Sequence, residues 1–235
     1  YYLIGLEIMV IEWHGDPISL HLKIKEKYKN KNMKFKDTIG IYENAFTEAE
    51  CKAIIYKLEE GIKNGTTYTG RSGDGVNDYK KSIDYNLLAD DKDLNMSNLV
   101  LDRFNDVLSN KYLENYPHGD IFDHHRLVNG KTYYPLLQIQ KYDQNSGHYN
   151  AWHLELEDSN TMMRAFVFIL YLNDVETGGE TGFLFKEEGK DDFFKVKPET
   201  GKLIIHPASW PYVHKGYMPE SSDKYILTTW LQFQH

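Results

Sequence analysis

Residues 164–183, RAFVFILYLNDVETGGETGF, contain the pattern that decides the fold. The apolar run Arg164–Leu172 has the length of one β-strand and is rich in aromatic and β-branched residues, which favour a pleated, buried sheet. Asn173-Asp174 and Thr177-Gly178-Gly179 follow it, and these residue types end strands in tight turns. The stretch therefore predicts a buried strand followed by a turn, and similar units recur on both sides of it.

Short apolar segments separated by turn residues fill the C-terminal hundred residues. We predict eight strands, at Tyr134–Tyr142, His148–Leu154, Arg164–Leu172, Phe183–Phe185, Phe193–Val196, Lys202–His206, Tyr212–Lys215 and Tyr225–Gln232. Eight short strands in antiparallel pairing indicate a jelly roll, also called a double-stranded β-helix. Upstream, Lys36–Glu43 and Leu3–Trp13 predict two further strands.

Two helices are predicted before the jelly roll. Thr47-Glu-Ala-Glu50 is a capping box for a helix that runs to about Lys63, with apolar residues at helical spacing. A second helix is expected over Ser97–Asn115, and Pro117 and Gly119 should end it. The Gly-, Asn- and Asp-rich residues 64–82 between the helices predict a long mobile loop of a kind that is often functional. The fold class is therefore mainly β with flanking helices.

Composition excludes several classes of partner and site. The chain has 235 residues, 41% of them hydrophobic, which predicts a folded globular protein. A net charge of −8 disfavours binding to nucleic acid or to an anionic membrane. Cys51 is the only cysteine, so no intramolecular disulfide can form. No stretch reaches the roughly 20 apolar residues of a membrane span, and Glu7 and Glu12 interrupt Leu3–Trp13, unlike a signal peptide. We expect a cytoplasmic protein of undetermined oligomeric state.

His153, Glu155 and His214 are the candidate metal ligands. Two histidines and one carboxylate are the ligand set of mononuclear non-haem Fe(II) oxygenases. Residues i and i+2 of a strand point to the same side, so His153 and Glu155 can converge on one ion. His214 would then come from a neighbouring strand. His148 competes for the first position, and a cupin-like metal site of His148, His153 and His214 is an alternative.

With its Tyr171-Leu-Asn, Gly178-Gly-Glu-Thr181, His214 and Lys224 in this order, the chain resembles the prolyl 4-hydroxylase-like branch of the Fe(II)/2-oxoglutarate dioxygenases. The resemblance is strong from about Leu136 to Leu231. It implies a jelly-roll core at about 134–233 in a dioxygenase domain over 35–235, after an N-terminal extension over 1–34. It also implies the cofactor Fe(II), the cosubstrates 2-oxoglutarate and O2, and ascorbate (vitamin C) as reductant.

The resemblance assigns a role to each matching residue. His153, Glu155 and His214 match the iron ligands, and Lys224 matches the residue that pairs with the distal carboxylate of 2-oxoglutarate. Thr181 and Tyr142 match positions that donate hydroxyl hydrogen bonds to the same cosubstrate. The matching substrate-binding residues are Arg164, Trp230 and Tyr149. The implied substrate is a prolyl residue in a peptide or protein. Another amino acid, a small metabolite, and a non-catalytic jelly roll stay open as alternatives.

Two residues depart from the family pattern. Glu155 occupies a position where the family usually has Asp, so its carboxylate is one methylene farther from the backbone. Tyr149 precedes His153 by four residues where three is more usual, which predicts a β-bulge or a shifted register. A carboxylate at position 155 also counts against a halogenase, which needs a small residue there to make room for halide.

Overall fold

The computed structural model describes residues 34–36, 38–72, 75–90, 94–116, 118–128, 132–159, 161–184 and 193–234. The predicted strand at Leu3–Trp13 lies outside this part of the chain. The predicted boundary between an N-terminal extension and the dioxygenase domain, after residue 34, stays a prediction.

Fourteen strands in the described ranges pair antiparallel in two sheets. They are β1 (Lys34–Lys36), β2 (Ile39–Tyr42), β3 (Tyr68–Thr69), β4 (Lys80–Lys81), β5 (Ile83–Asn86), β6 (Thr132–Tyr133), β7 (Gln138–Tyr142), β8 (His148–His153), β9 (Arg164–Tyr171), β10 (Thr181–Leu184), β11 (Phe193–Val196), β12 (Leu203–Pro207), β13 (His214–Gly216) and β14 (Lys224–Phe233). The larger sheet has the order β1-β2-β12-β9-β14-β7-β5-β3, with β6 paired to β14. The smaller sheet has the order β11-β10-β13-β8-β4.

Strand β9 shows how the sequence produces the layers. Its side chains alternate between two apolar clusters, because successive residues of a strand point to opposite faces. Val167 and Ile169 pack in the cluster between the two sheets, together with Phe183 of the smaller sheet. Phe168 and Leu170 pack in the other cluster, against the helices. The two sheets therefore face each other in a double-stranded β-helix, and the helices cover the outer face of the larger sheet.

Four α-helices are present in the described ranges, at α1 (Glu48–Asn64), α2 (Leu87–Asp90), α3 (Asn95–Val107) and α4 (Gly119–Val128). The predicted capping box of α1 is confirmed. Thr47 Oγ1 accepts a hydrogen bond from Glu50 N at 3.2 Å, and Glu50 Oε2 accepts one from Thr47 N at 2.7 Å. The second predicted helix begins two residues early, and after Val107 it continues through a π-helical turn and a 3₁₀ turn to Asn115.

Each of the eight predicted C-terminal strands corresponds to an observed strand, although several ends differ. The prediction of one strand over Tyr134–Tyr142 is wrong in its first half, because β7 begins only at Gln138. Residues 64–82 are not one uninterrupted loop, since β3 and β4 lie within them and β4 pairs with β8. Strand β5 and helix α4 were not predicted. Among the described residues, no helix is long and apolar enough to cross a membrane.

Candidate active site

His153 and His214 lie directly opposite each other on neighbouring strands of the smaller sheet. Strand β8 ends at His153, β13 begins at His214, and the two residues are paired in the antiparallel register. Their ring centroids are 4.4 Å apart. The prediction that the late histidine comes from an adjacent strand is confirmed.

Backbone carbonyls orient both imidazoles. His153 Nδ1 lies 2.9 Å from the carbonyl oxygen of Ala151, and His214 Nδ1 lies 3.0 Å from that of Tyr212. A carbonyl only accepts, so each Nδ1 carries a proton, and Nε2 is the ring nitrogen left to bind a metal. Burial and the neighbouring His214 lower the pKa of His153 to about 4. His153 is therefore neutral at pH 7, as a metal ligand must be.

Glu155 completes a group of three ligands. Its Oε1 lies 3.8 Å from His153 Nε2 and 3.4 Å from His214 Nε2. All three ligand atoms lie within 4.8 Å of one another. Atoms that share one ion at about 2.1 Å are typically separated by about 3 to 3.5 Å, so a small inward movement would fit a metal. Burial disfavours the charge of Glu155, but the neighbouring His214, His153 and Arg164 hold its pKa well below the usual range.

The expected strand geometry of the ligands needs a correction. Because β8 ends at His153, Glu155 lies at a bend after the strand rather than on it. The bend, together with the longer glutamate side chain, brings its carboxylate to the two histidines. The departure at Tyr149 has the predicted cause: His214 and Gly216 pair with His153 and Tyr149, so β8 bulges against β13. The Tyr149 ring stacks on His153 with centroids 3.9 Å apart.

Lys224 is buried next to the residues that the sequence assigned to the cosubstrate. It is the first residue of β14, and its backbone pairs with Tyr142 at the end of β7. Its Nζ lies 5.4 Å from the Tyr142 ring centroid and 5.5 Å from that of Tyr171. No carboxylate in the described ranges is within salt-bridge distance of Nζ, and Glu180 acts only through longer-range charge. Burial lowers the pKa of Lys224 to about 7.

Tyr142 and Thr181 line the same cavity as Lys224. Each has a hydrogen-bond partner that the sequence did not reveal. Tyr142 OH donates to Gln140 Oε1 at 2.7 Å, and Tyr171 OH donates to Thr181 Oγ1 at 2.6 Å. Gln140 was detectable, because it lies two residues before Tyr142 and shares its face of β7. Tyr171 is fully buried in an apolar strand and looked like a core residue. The two pairs form a polar wall beside the Lys224 ammonium.

The residues expected to contact substrate lie around Glu155. Glu155 Oε2 accepts hydrogen bonds from Arg164 Nη1 at 3.0 Å and from Trp230 Nε1 at 2.9 Å. The Arg164 guanidinium also lies 3.9 Å from the Trp230 ring centroid. Tyr149 OH is 2.9 Å from Ser72 Oγ, which belongs to the segment between β3 and β4. Substrate contact by Arg164, Trp230 and Tyr149 stays a prediction.

One cavity of about 430 Å³ connects these groups. Its lining includes the three candidate ligands, Lys224 with its neighbours Tyr142 and Thr181, and the aliphatic residues Val167, Ile169 and Ile226. His148 is not part of the ligand group. Its Nδ1 and Nε2 each lie 3.0 Å from a backbone carbonyl, of Ser146 and Asp78 respectively. The geometry therefore favours Glu155 over the cupin-like ligand set with His148.

Residues 137–232 match the 2OG-Fe(II) oxygenase superfamily. The chain is 30% identical over 126 residues to prolyl 4-hydroxylase 13 of Arabidopsis thaliana, covering 44% of this chain and 45% of that protein. It is 24% identical over 212 residues to probable prolyl 4-hydroxylase 9 of the same plant, covering 82% of this chain and 68% of that protein. The chain thus spans less than half the length of the first of these relatives.

Solved structures show the same fold. A prolyl-4-hydroxylase from Pseudomonas putida has a TM-score of 0.61 at 14% identity, covering 83% of this chain and 92% of that one. A prolyl hydroxylase from Trichoplax adhaerens, in complex with a peptide of the hypoxia inducible factor oxygen degradation domain, has a TM-score of 0.64 at 15% identity and covers 94% of each chain. Fe(II) and 2-oxoglutarate are the metal and cosubstrate of the matched superfamily, and the donor set described above fits both.

Proposed function

We propose, since residues 137–232 match the 2OG-Fe(II) oxygenase superfamily, that this chain is such an oxygenase and hydroxylates a C–H bond of a prolyl residue in a peptide or protein. The observation that carries the proposal is one cavity with two complementary charge sites. At one site Glu155 and two imidazoles converge as a cation site. At the other, Lys224 is a buried base without a carboxylate partner in the described ranges.

The buried Lys224 side chain favours binding of an anionic ligand. Burying an ammonium is costly unless an opposite charge or hydrogen bonds compensate it. The far carboxylate of 2-oxoglutarate would supply that charge, with Thr181 and Tyr142 beside it. Bound Fe(II) and 2-oxoglutarate would supply the oxidising chemistry: O2 is consumed, 2-oxoglutarate becomes succinate and CO2, and one oxygen atom enters the substrate C–H bond. The protein orients the substrate and excludes water.

The prolyl substrate rests on the relatives and on the shape of the site. The two Arabidopsis relatives are named as a prolyl 4-hydroxylase and a probable prolyl 4-hydroxylase, and the Trichoplax enzyme is in complex with a peptide fragment. Tyr149 lines the cavity and offers an aromatic surface on which an apolar pyrrolidine ring can pack. Trp210 precedes His214 by four residues, but it is 76% exposed and does not line the cavity.

The test is succinate formation from 2-oxoglutarate by anaerobically iron-loaded protein, with ascorbate present, on adding O2. Proline-containing peptides are compared with the same peptides carrying alanine in place of proline, and product mass reports the added oxygen. We expect turnover with proline peptides only, abolished in His214→Ala and reduced at least 100-fold in Lys224→Ala. Lys197→Ala is the matched control, because Lys197 is exposed and pairs with Glu176 on the surface.

Other outcomes separate the alternatives. Turnover of free amino acids or small metabolites, without turnover of any peptide, would keep the dioxygenase and reject the peptidyl substrate. Metal binding without any effect of 2-oxoglutarate on the metal site would reject the dioxygenase and favour a non-catalytic jelly roll.

A further inference from the structure

We infer that Arg164 and Trp230 are positioning residues for the Glu155 ligand: they hold Oε2 so that Oε1 alone is presented to the metal. The inference rests on the proposed function, because it assumes a metal between Glu155 and the two histidines. It gives these two residues a role other than the substrate contact that the sequence resemblance implies.

The hydrogen bonds divide the two oxygens of Glu155 between different partners. Oε1 faces the histidine Nε2 atoms, at 3.8 Å and 3.4 Å. Oε2 accepts from Arg164 Nη1 at 3.0 Å and from Trp230 Nε1 at 2.9 Å. Arg164 Nη1 also donates to the Glu155 backbone carbonyl at 2.9 Å, so one guanidinium nitrogen fixes the main chain and the side chain of the ligand.

Arg164 and Trp230 belong to the larger sheet, whereas Glu155 follows the last strand residue of β8 in the smaller sheet. Arg164 opens β9 and Trp230 lies in β14, and these two strands pair along most of their length. The guanidinium lies over the indole, 3.9 Å from the ring centroid. This contact restricts the movement of both side chains that donate to Glu155. The pair therefore anchors a ligand on the bend of one sheet to the rigid strands of the other.

A glutamate ligand depends more on such hydrogen bonds than an aspartate ligand does. The extra methylene adds one rotatable bond, and an unrestrained carboxylate could turn both oxygens to the metal or swing away from it. Two N–H donors on Oε2, one of them charged, oppose both movements. Partners that orient a metal ligand commonly change metal affinity by about 10- to 100-fold when they are removed.

The experiment is metal binding without turnover. Co(II) replaces Fe(II), its affinity is measured by titration, and its visible absorption spectrum reports the coordination of the ion. Trp230→Phe removes the Nε1 donor and keeps an aromatic ring under Arg164. Arg164→Lys keeps the positive charge, and Arg164→Met removes it. Trp152→Phe is the matched control, since Trp152 lies on β8 with its ring 4.6 Å from Lys215 Nζ.

We expect Trp230→Phe and Arg164→Met to weaken Co(II) binding about 10- to 100-fold and to change the spectrum. Arg164→Lys should recover part of the affinity, and Trp152→Phe should behave like the unmodified protein. Far-UV circular dichroism checks that each variant is folded. If the variants bind Co(II) normally but raise the KM for a peptide substrate, the two residues contact substrate and the inference is wrong.

A double-mutant cycle with Glu155→Asp tests whether the effect passes through Glu155. The shorter side chain cannot hold the same contacts with both donors and the metal, so Trp230→Phe should have little further effect in the Glu155→Asp background. An equal effect of Trp230→Phe in both backgrounds would overturn the inference. Failure of the unmodified protein to bind Co(II) or Fe(II) would instead reject the proposed function, so the two failures are distinguishable.

Discussion

Replacing Lys224 by methionine should make the ligand-free protein more stable while abolishing 2-oxoglutarate binding. Lys224 is 2% exposed, and burial lowers its pKa from 10.5 to about 7. At about 1.36 kcal/mol per pKa unit, this lowering corresponds to roughly 5 kcal/mol of unfavourable free energy for holding the charged ammonium in the folded protein. Local relaxation and water penetration reduce the cost, so we expect a gain of about 2 to 4 kcal/mol for Lys224→Met at pH 6.

The gain should depend on pH in a defined direction. Below pH 7 the folded protein carries the full cost of the charge, because Lys224 is protonated in both the folded and the unfolded chain. Between pH 7 and 10.5 only the unfolded chain keeps the proton, so raising the pH relieves the cost. The stability difference between Lys224→Met and the unmodified protein should therefore fall below about 1 kcal/mol by pH 10.

Urea unfolding of the metal-free proteins at pH 6 and pH 10 measures this difference. A second series contains Zn(II), which prevents turnover, with 2-oxoglutarate at 100 times its dissociation constant. Under these conditions the ligand should stabilise the unmodified protein by about 2.7 kcal/mol and leave Lys224→Met unchanged.

Lys80→Met is the matched control, since Lys80 is equally buried but its Nζ lies 2.9 Å from Asp84 Oδ2. Removing one partner of a buried ion pair costs about 3 to 5 kcal/mol, so this variant should be less stable. The reasoning is refuted if Lys224→Met is destabilised like Lys80→Met at pH 6. That result would mean that Lys224 has a compensating partner in the ligand-free protein.

Three further predictions follow from the same contacts. The affinity for 2-oxoglutarate should fall about tenfold per pH unit above pH 7, because only the protonated Lys224 pairs with the ligand; titrations between pH 6 and pH 9 test this, and Lys224→Arg should flatten the profile. Thr181→Val should cost about 1 kcal/mol in urea unfolding and weaken 2-oxoglutarate binding, because the buried Tyr171 hydroxyl loses its 2.6 Å acceptor and keeps only the Val196 carbonyl oxygen at 3.2 Å, whereas Thr181→Ser should retain both stability and binding. Thr47→Ala should cost about 1 kcal/mol in thermal unfolding through loss of the capping box, with unchanged turnover, and reduced turnover would count against a purely structural role.

Local signals were enough to predict much of the fold. The capping box at Thr47 identifies the start of α1 because its two hydrogen bonds are made within four residues. Strand β9 is predicted by composition alone, since both of its faces are buried. His153 was found from its i, i+2 spacing to Glu155, and His214 from the order of motifs that the family resemblance supplied.

Other features depend on contacts that sequence does not display. Helix α4 was missed because Gly119 was interpreted as the end of the preceding helix. In the structure a Cβ at Gly119 would lie 2.2 Å from the Leu113 carbonyl oxygen, so the glycine permits a close approach of two chain segments. The roles of Arg164 and Trp230 were also hidden, because their hydrogen bonds to Glu155 join residues that are 9 and 75 positions apart.

The division of the site between the two sheets explains why its chemistry depends on the core. The two candidate histidine ligands and Thr181 come from the smaller sheet, whereas Lys224, Tyr142 and the Arg164–Trp230 pair come from the larger sheet. Apolar contacts such as those of Phe183 with the inner face of β9 hold the two sheets together. A shift between the sheets would change the separation of the metal ligands from Lys224, and it would also pull Glu155 away from its two donors. The packing between the sheets therefore fixes both the length of the proposed cosubstrate pocket and the orientation of the Glu155 carboxylate.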